Sequence, residues 1–159
     1  MQPVKNFIAG EWSAPAGDDA STVIDPATNE PLAKVPVDGS DGAAAAVAAA
    51  ARAYPDWRDV PPGERVQFLF RFKQQLEEDF GKIARLVSLE NGKTYAEAAG
   101  ELRRGIENVE VACGIPTMMQ GYNLQDIARG IDETMVRQPL GVVGVITPFN
   151  FPVMIPLWF

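Results

Sequence analysis

Residues 147–152 read TPFNFP, one amide flanked by two phenylalanines. The Asn150 side chain can donate two hydrogen bonds and accept at its carbonyl. At the carboxyl end of a buried strand such a group faces the crevice where α/β proteins bind ligands. A fixed amide N–H in that position can stabilise a developing oxyanion. A turn asparagine that satisfies nearby backbone fits the same spacing. The doublet Arg103-Arg104, in GELRRGIENVE, is a second candidate. On a helix Arg104 lies three residues from both Glu101 and Glu107, and Arg103 lies four from Glu107. That spacing suits a solvated ion-pair face. An arginine can equally clamp a substrate carboxylate through its planar fork. Periodicity does not separate the two.

Other chemistries are excluded or weakly signalled. There is no histidine, which removes a Ser-His or Cys-His nucleophile pair and any His-ligated metal. No metal site is expected. The single cysteine, Cys113, falls in register with an apolar helix stripe and reads as a buried structural thiol. With no second cysteine a disulfide framework is impossible, and a cytoplasmic location is the default. Gly141 and Gly144 make G-x-x-G, which is not the dinucleotide fingerprint. Glycines that let neighbours pack against a strand explain them as well. The chain has 14 basic against 21 acidic residues, a net charge of −7 and no basic run. Nucleic acid and anionic membrane surfaces are therefore poor partners. Residues 138–159 carry no charge, but Pro139, Pro148, Pro152 and Pro156 interrupt them, which argues against a membrane span.

The elements that must position these residues are legible in part. At 159 residues, 47% of them hydrophobic, the chain can bury a core. NFIAGEW, residues 6–12, suits a hairpin turning at Gly10. DPATNE sits as a turn between two short β-prone runs. An alanine-rich helix starts at an N-cap of Ser40 or Asp41, ends at Pro55 and should pack closely. A second helix follows Pro61-Pro62, with a stripe of Leu69, Phe72, Leu76, Phe80, Ile83 and Val87 and an interruption at Gly81. Asn91-Gly92 closes it. A third helix spans about Thr94 to Cys113, its stripe Leu102, Ile106, Val109 and Cys113. GVVGVIT then reads as a core strand buried on both faces. A single core strand cannot make a sheet, so the domain is expected to be incomplete.

Several long motifs together give the sequence a wider resemblance. NFIAGEW, DPATNEPLAKVP, LENGKT and TPFNFP follow, in order and spacing, the N-terminal pattern of the aldehyde dehydrogenase superfamily. Phe149 stands where most members have Trp. With RRGIENVE, GYNLQDIARGID, VRQPLGVVGVI and MIPLWF, it makes the chain resemble the CoA-acylating, methylmalonate-semialdehyde dehydrogenase branch. The resemblance implies an α/β fold, the N-terminal part of a Rossmann-like NAD-binding domain over residues 1–118. It further implies an extended oligomerisation arm over 119–138 and the first core strand over 139–159. In that family a downstream cysteine attacks the aldehyde, NAD takes the hydride and, in this branch, coenzyme A accepts the acyl group. The substrate is a methylmalonate or malonate semialdehyde, and the products are propionyl-CoA or acetyl-CoA, CO₂ and NADH. Asn150 matches the oxyanion asparagine, Thr147 and Phe149 match positions that contact NAD, and Arg104 matches the arginine that holds the substrate carboxylate. A homo-oligomer, dimer or tetramer, is implied for the intact protein. Cys113 matches no catalytic position, so the chain alone is expected to be inactive and to bind NAD weakly or not at all. A hydrolytic branch of the superfamily and a non-catalytic assembly module are the alternatives.

Overall fold

The computed structural model describes residues 4–14 and 19–159. Strands β1 (Asn6–Ile8) and β2 (Glu11–Ser13) form an antiparallel hairpin. Both loop residues, Ala9 (φ 54) and Gly10 (φ 84), are left-handed, as a type I′ turn requires. Phe7 pairs across it with Trp12, ring centroids 4.9 Å apart. Strands β3 (Ala20–Ile24) and β4 (Pro31–Pro36) pair likewise around DPATNE. There the Asp25 Oδ1 accepts from the Ala27 N–H at 2.8 Å, and the Asn29 N–H donates to the Asp25 carbonyl at 2.8 Å. This is the Asx-type closure expected of an Asp-Pro turn.

Helix α1 runs Gly39–Asp59. It starts after Asp38, earlier than expected, and passes through Pro55 instead of stopping there. The proline forfeits one backbone bond, but the last turn is held by Trp57, which packs edge-on against Phe68 at 5.5 Å. None of its residues is buried, so the close packing expected of its alanines is not found among the described residues.

Helices α2 (Pro62–Glu78) and α3 (Phe80–Asn91) occupy the place of the single second helix. The break falls at Asp79 (φ −90, ψ 6), not at Gly81, which lies inside α3. The Asp79 side chain accepts from Gln75 Nε2 at 3.0 Å, which stabilises the bridge conformation. Of the foreseen stripe, Leu76 and Val87 are buried, while Phe72 stays exposed. Gly92 (φ 82) closes α3 in the left-handed conformation, its N–H on the Ser88 carbonyl at 2.9 Å.

Helix α4 (Tyr95–Cys113) is the spine of the core. A capping box starts it: Thr94 Oγ1 accepts from the Glu97 N–H at 3.3 Å, and the Thr94 N–H donates to Glu97 Oε2 at 3.0 Å. Leu102 and Ile106 are fully buried against Leu76, Ala84, Val87 and Ala98, with Val153 and Leu157 packed on the same cluster. Each such side chain contributes about 1.5–3 kcal/mol. Cys113, at the far end, is half-buried rather than enclosed.

After a short helix α5 (Ile115–Met118), strands β5 (Asn123–Ala128) and β6 (Ile131–Thr134) form a third antiparallel hairpin, exposed at every position. Residues 141–148 are not a buried strand. They form no ladder and no hydrogen bond among the described residues, and Ile146 is fully exposed. A β-prone run needs a neighbouring strand to pair with, and the three sheets here are self-contained two-stranded hairpins. The chain ends in a turn and a 3-10 segment, Pro156–Trp158, lying on α4. Among the described residues no helix is long and apolar enough to cross a membrane.

Candidate active site

The TPFNFP segment turns back onto the α3–α4 junction, and three side chains of that junction hold it there. Asn91 Nδ2 donates to the Phe149 carbonyl at 2.9 Å. Lys93 Nζ donates to the Asn150 carbonyl at 2.5 Å and lies over the Phe151 ring at 4.4 Å from its centroid. Glu101 Oε1 accepts from the Val153 and Met154 N–H groups at 2.9 and 3.1 Å. The other oxygen of Glu101 accepts from Lys93 Nζ at 2.5 Å. Gly105, one turn further along α4, completes the seat. A Cβ there would come within 2.7 Å of Leu157 Cδ1 and 3.3 Å of the Met154 Cα.

Glu101 is 1% exposed, the one charged side chain in the described core. Burial disfavours its charged form, but the Lys93 ammonium and the two backbone donors outweigh this and hold its pKa below the usual glutamate value. Glu97 is likewise held low, by the Thr94 hydroxyl and then the Thr94 N–H.

Lys93, Glu97, Gly100, Glu101, Arg104 and Phe151 line a pocket of about 580 Å³. Its charges are unevenly matched. Glu101 is engaged by Lys93 and by backbone, and Glu97 by its own capping box. Arg104 lies over the Phe151 ring at 5.2 Å and takes part in no ion pair among the described residues. The arginine doublet is thereby resolved geometrically. Arg103 makes a bidentate pair with Glu77, at 2.7 and 2.9 Å, and lies over Phe80. Glu77 is held below its usual pKa chiefly by that contact. Neither arginine pairs with the glutamates on its own helix that the spacing suggested.

Arg104, midway along α4, thus reaches over Phe151 beside the turn that bears Asn150, with Phe149 between the turn and α3. The side-chain amide of Asn150 makes no hydrogen bond among the described residues. The main chain, not the amide, fixes the turn. Phe149 is 88% exposed, and its neighbours Val23, Leu86, Asn91 and Pro152 line a second, more apolar pocket. Thr147 is half-buried at the end of the unpaired run 141–148. Gly141 (φ 117) has a backbone angle that favours glycine, and a Cβ built at either Gly141 or Gly144 would meet nothing within 4 Å, so packing among the described residues requires neither glycine. Cys113 lies twelve residues beyond Glu101, about 18 Å along the helix, and takes no part.

Comparison with known proteins gives the family. The family model described as "Aldehyde dehydrogenase family" matches residues 12–159. The chain belongs to the aldehyde dehydrogenase family. Malonate-semialdehyde dehydrogenase 2 of Geobacillus thermodenitrificans is 54% identical over 155 residues, covering 98% of this chain and 32% of that protein. The crystal structure of methylmalonate-semialdehyde dehydrogenase from Oceanimonas doudoroffii superposes with a TM-score of 0.93 at 42% identity, over 99% of this chain and 32% of that one. A Sinorhizobium meliloti structure described as a methylmalonate-semialdehyde dehydrogenase complexed with NAD gives a TM-score of 0.93 at 36% identity, covering 99% and 32%. The chain therefore spans about a third of the length of the aldehyde dehydrogenases it matches. The mixed α/β fold foreseen from the motifs is the one found.

Sequence reasoning missed Lys93 and Glu101. LENGKT was visible as a motif, but only its Asn-Gly turn carried a physical reading. The signal for Glu101 was positional: Ala98, Gly105 and Val109 place its helix face inward. A glutamate on a small-residue face must find partners.

Proposed function

We propose that this chain is the N-terminal part of an NAD-dependent, CoA-acylating dehydrogenase of malonate or methylmalonate semialdehyde. The observation that carries the reading is Arg104: an arginine without a carboxylate partner among the described residues, in a pocket whose two carboxylates are already engaged, beside the turn that bears Asn150. Such a guanidinium suits a small carboxylated substrate. Asn150, with its amide unspent, would donate to the oxygen that becomes negative when a nucleophile adds to the aldehyde. NAD, when bound, accepts a hydride from the substrate. The extended run ending at Thr147 and Phe149 offers unpaired backbone groups and an exposed aromatic ring toward it, which fits a dinucleotide's mix of polar and flat surfaces. Support also comes from relatives named as malonate-semialdehyde dehydrogenases and from a neighbour complexed with NAD. Coenzyme A is the acyl acceptor in this reading, which would release acetyl-CoA or propionyl-CoA, CO₂ and NADH.

The remaining assignments follow from it. Residues 1–118 and 139–159 would belong to the NAD-binding domain. The exposed β5–β6 hairpin within 119–138 would be the arm that joins subunits into a dimer or tetramer. A cytoplasmic enzyme is the matching location. The 159 residues alone would not turn over substrate, since Cys113 is remote from Asn150 and no histidine is present to activate a nucleophile. The test is product analysis on the whole protein with malonate semialdehyde and NAD. Acyl-CoA formed only with coenzyme A is expected. Free acid at full rate without coenzyme A would mean hydrolytic chemistry instead.

A further inference from the structure

The oxyanion assignment gives no role to the most unusual side chain in the core. Glu101 sits on the inward face of α4 among Ala98, Leu102 and Gly105. Apolar residues of similar volume often replace a buried ion pair at no loss of stability. Stability alone therefore does not account for a carboxylate here. Its contacts do suggest a reason. Oε1 takes the Val153 and Met154 N–H groups, which begin the last turn of the chain and need an acceptor. Oε2 holds Lys93, and Lys93 holds the Asn150 carbonyl. One carboxylate thus grips the segment just after Asn150 directly, and Asn150 itself through a lysine. The two grips lie three to four residues apart along the chain, so they fix both the position and the rotation of the peptide between them.

We propose that Glu101 and Lys93 are a positioning pair that sets the backbone of residues 149–154 and thereby the direction of the Asn150 amide. This rests on the reading of Asn150 as an oxyanion donor. The role of Glu101 is exerted at a distance: its side chain is buried, and both its oxygens are engaged, by Lys93 and by two backbone N–H groups.

The experiment is a mutant cycle in the whole protein. Glu101→Gln keeps the volume and an acceptor but removes the charge that holds Lys93. It is expected to lower kcat on the order of 10- to 100-fold, the scale of a misdirected catalytic group. KM for aldehyde should change by less than about twofold, since ground-state binding is not what the pair controls. Amide exchange at Val153 and Met154 should quicken about tenfold or more as their acceptor weakens. In the Asn150→Ala background the same substitution should cost less than about twofold, because the group it directs is gone. If Glu101→Gln does not fold, Lys93→Gln, which removes the ion pair, the ammonium's contact to the Asn150 carbonyl and its place over the Phe151 ring, takes its place in the cycle. Unchanged kcat in the single variant, or a full multiplicative loss in the double variant, overturns the positioning role while leaving Asn150 as the donor. Full activity in Asn150→Ala alone overturns the oxyanion reading, and the positioning role falls with it.

Discussion

Arg104→Ala is the most direct probe of substrate choice. The guanidinium lies over Phe151 and spends its charge on no carboxylate among the described residues. Removing it therefore breaks no ion pair, and the fold should tolerate the change. A hydrogen-bonded contact to a charged group is worth about 1.5–3 kcal/mol, and about 1.4 kcal/mol is a factor of ten. The pocket is open to water and Arg104 itself is exposed, which favours the lower half of that range. The expected loss in kcat/KM for malonate semialdehyde is about 10- to 40-fold, mostly in KM. Propanal has no carboxylate and should lose less than about threefold. The assay is initial-rate NADH formation by the whole protein with saturating NAD and coenzyme A, each aldehyde varied in turn. Raising the salt concentration should narrow the gap between wild type and variant for the acid substrate, because the attraction is screened. Equal losses on both aldehydes would refute the argument, since Arg104 would then support the fold or the turn instead of the carboxylate.

Three further outcomes test the structure itself. Gly105→Ala should destabilise by about 1–3 kcal/mol in urea unfolding, because the new methyl meets Leu157 and the Met154 backbone. Arg103→Ala should cost no more than about 1 kcal/mol, since its bidentate partner Glu77 is on the surface; a larger loss would show that the pair is structural. Stability should also fall with acid at Glu101. Its folded pKa is depressed, so its contribution is complete above the ordinary glutamate value of 4.5 and is lost as pH drops through the lower folded value. The stability difference between wild type and Glu101→Gln should therefore be largest at neutral pH and shrink below about pH 4; a constant difference would contradict this.

What the sequence displayed and what it hid follow a physical division. Local codes were legible. The turn chemistry of DPATNE, the left-handed Gly92 and the stripe of Leu102, Ile106 and Val109 each depend on near neighbours. Pro55 misled because a local rule was overridden by a tertiary contact, Trp57 on Phe68. GVVGVIT misled for a related reason. Its β-branched run states a preference, but a strand exists only with a partner, and none is among the described residues. At the site, Asn150 and Arg104 were legible as candidates through their chemistry and motif. Lys93 and Glu101 were not, because their meaning lies in contacts to residues more than fifty positions away.

That separation along the chain bears on the order in which the molecule assembles. Helices α3 and α4 are joined by three residues and pack through near-neighbour contacts, so they can form together at an early stage. The Asn91–Phe149 and Glu101–Val153 contacts instead close loops of 58 and 52 residues. Their closure entropy must be met before any of the bonds is gained. The TPFNFP turn is thus expected to dock last, onto a scaffold already made. Substitutions at Glu101 would then leave the folding rate almost unchanged and appear mainly as faster unfolding, the pattern of contacts absent from the transition state.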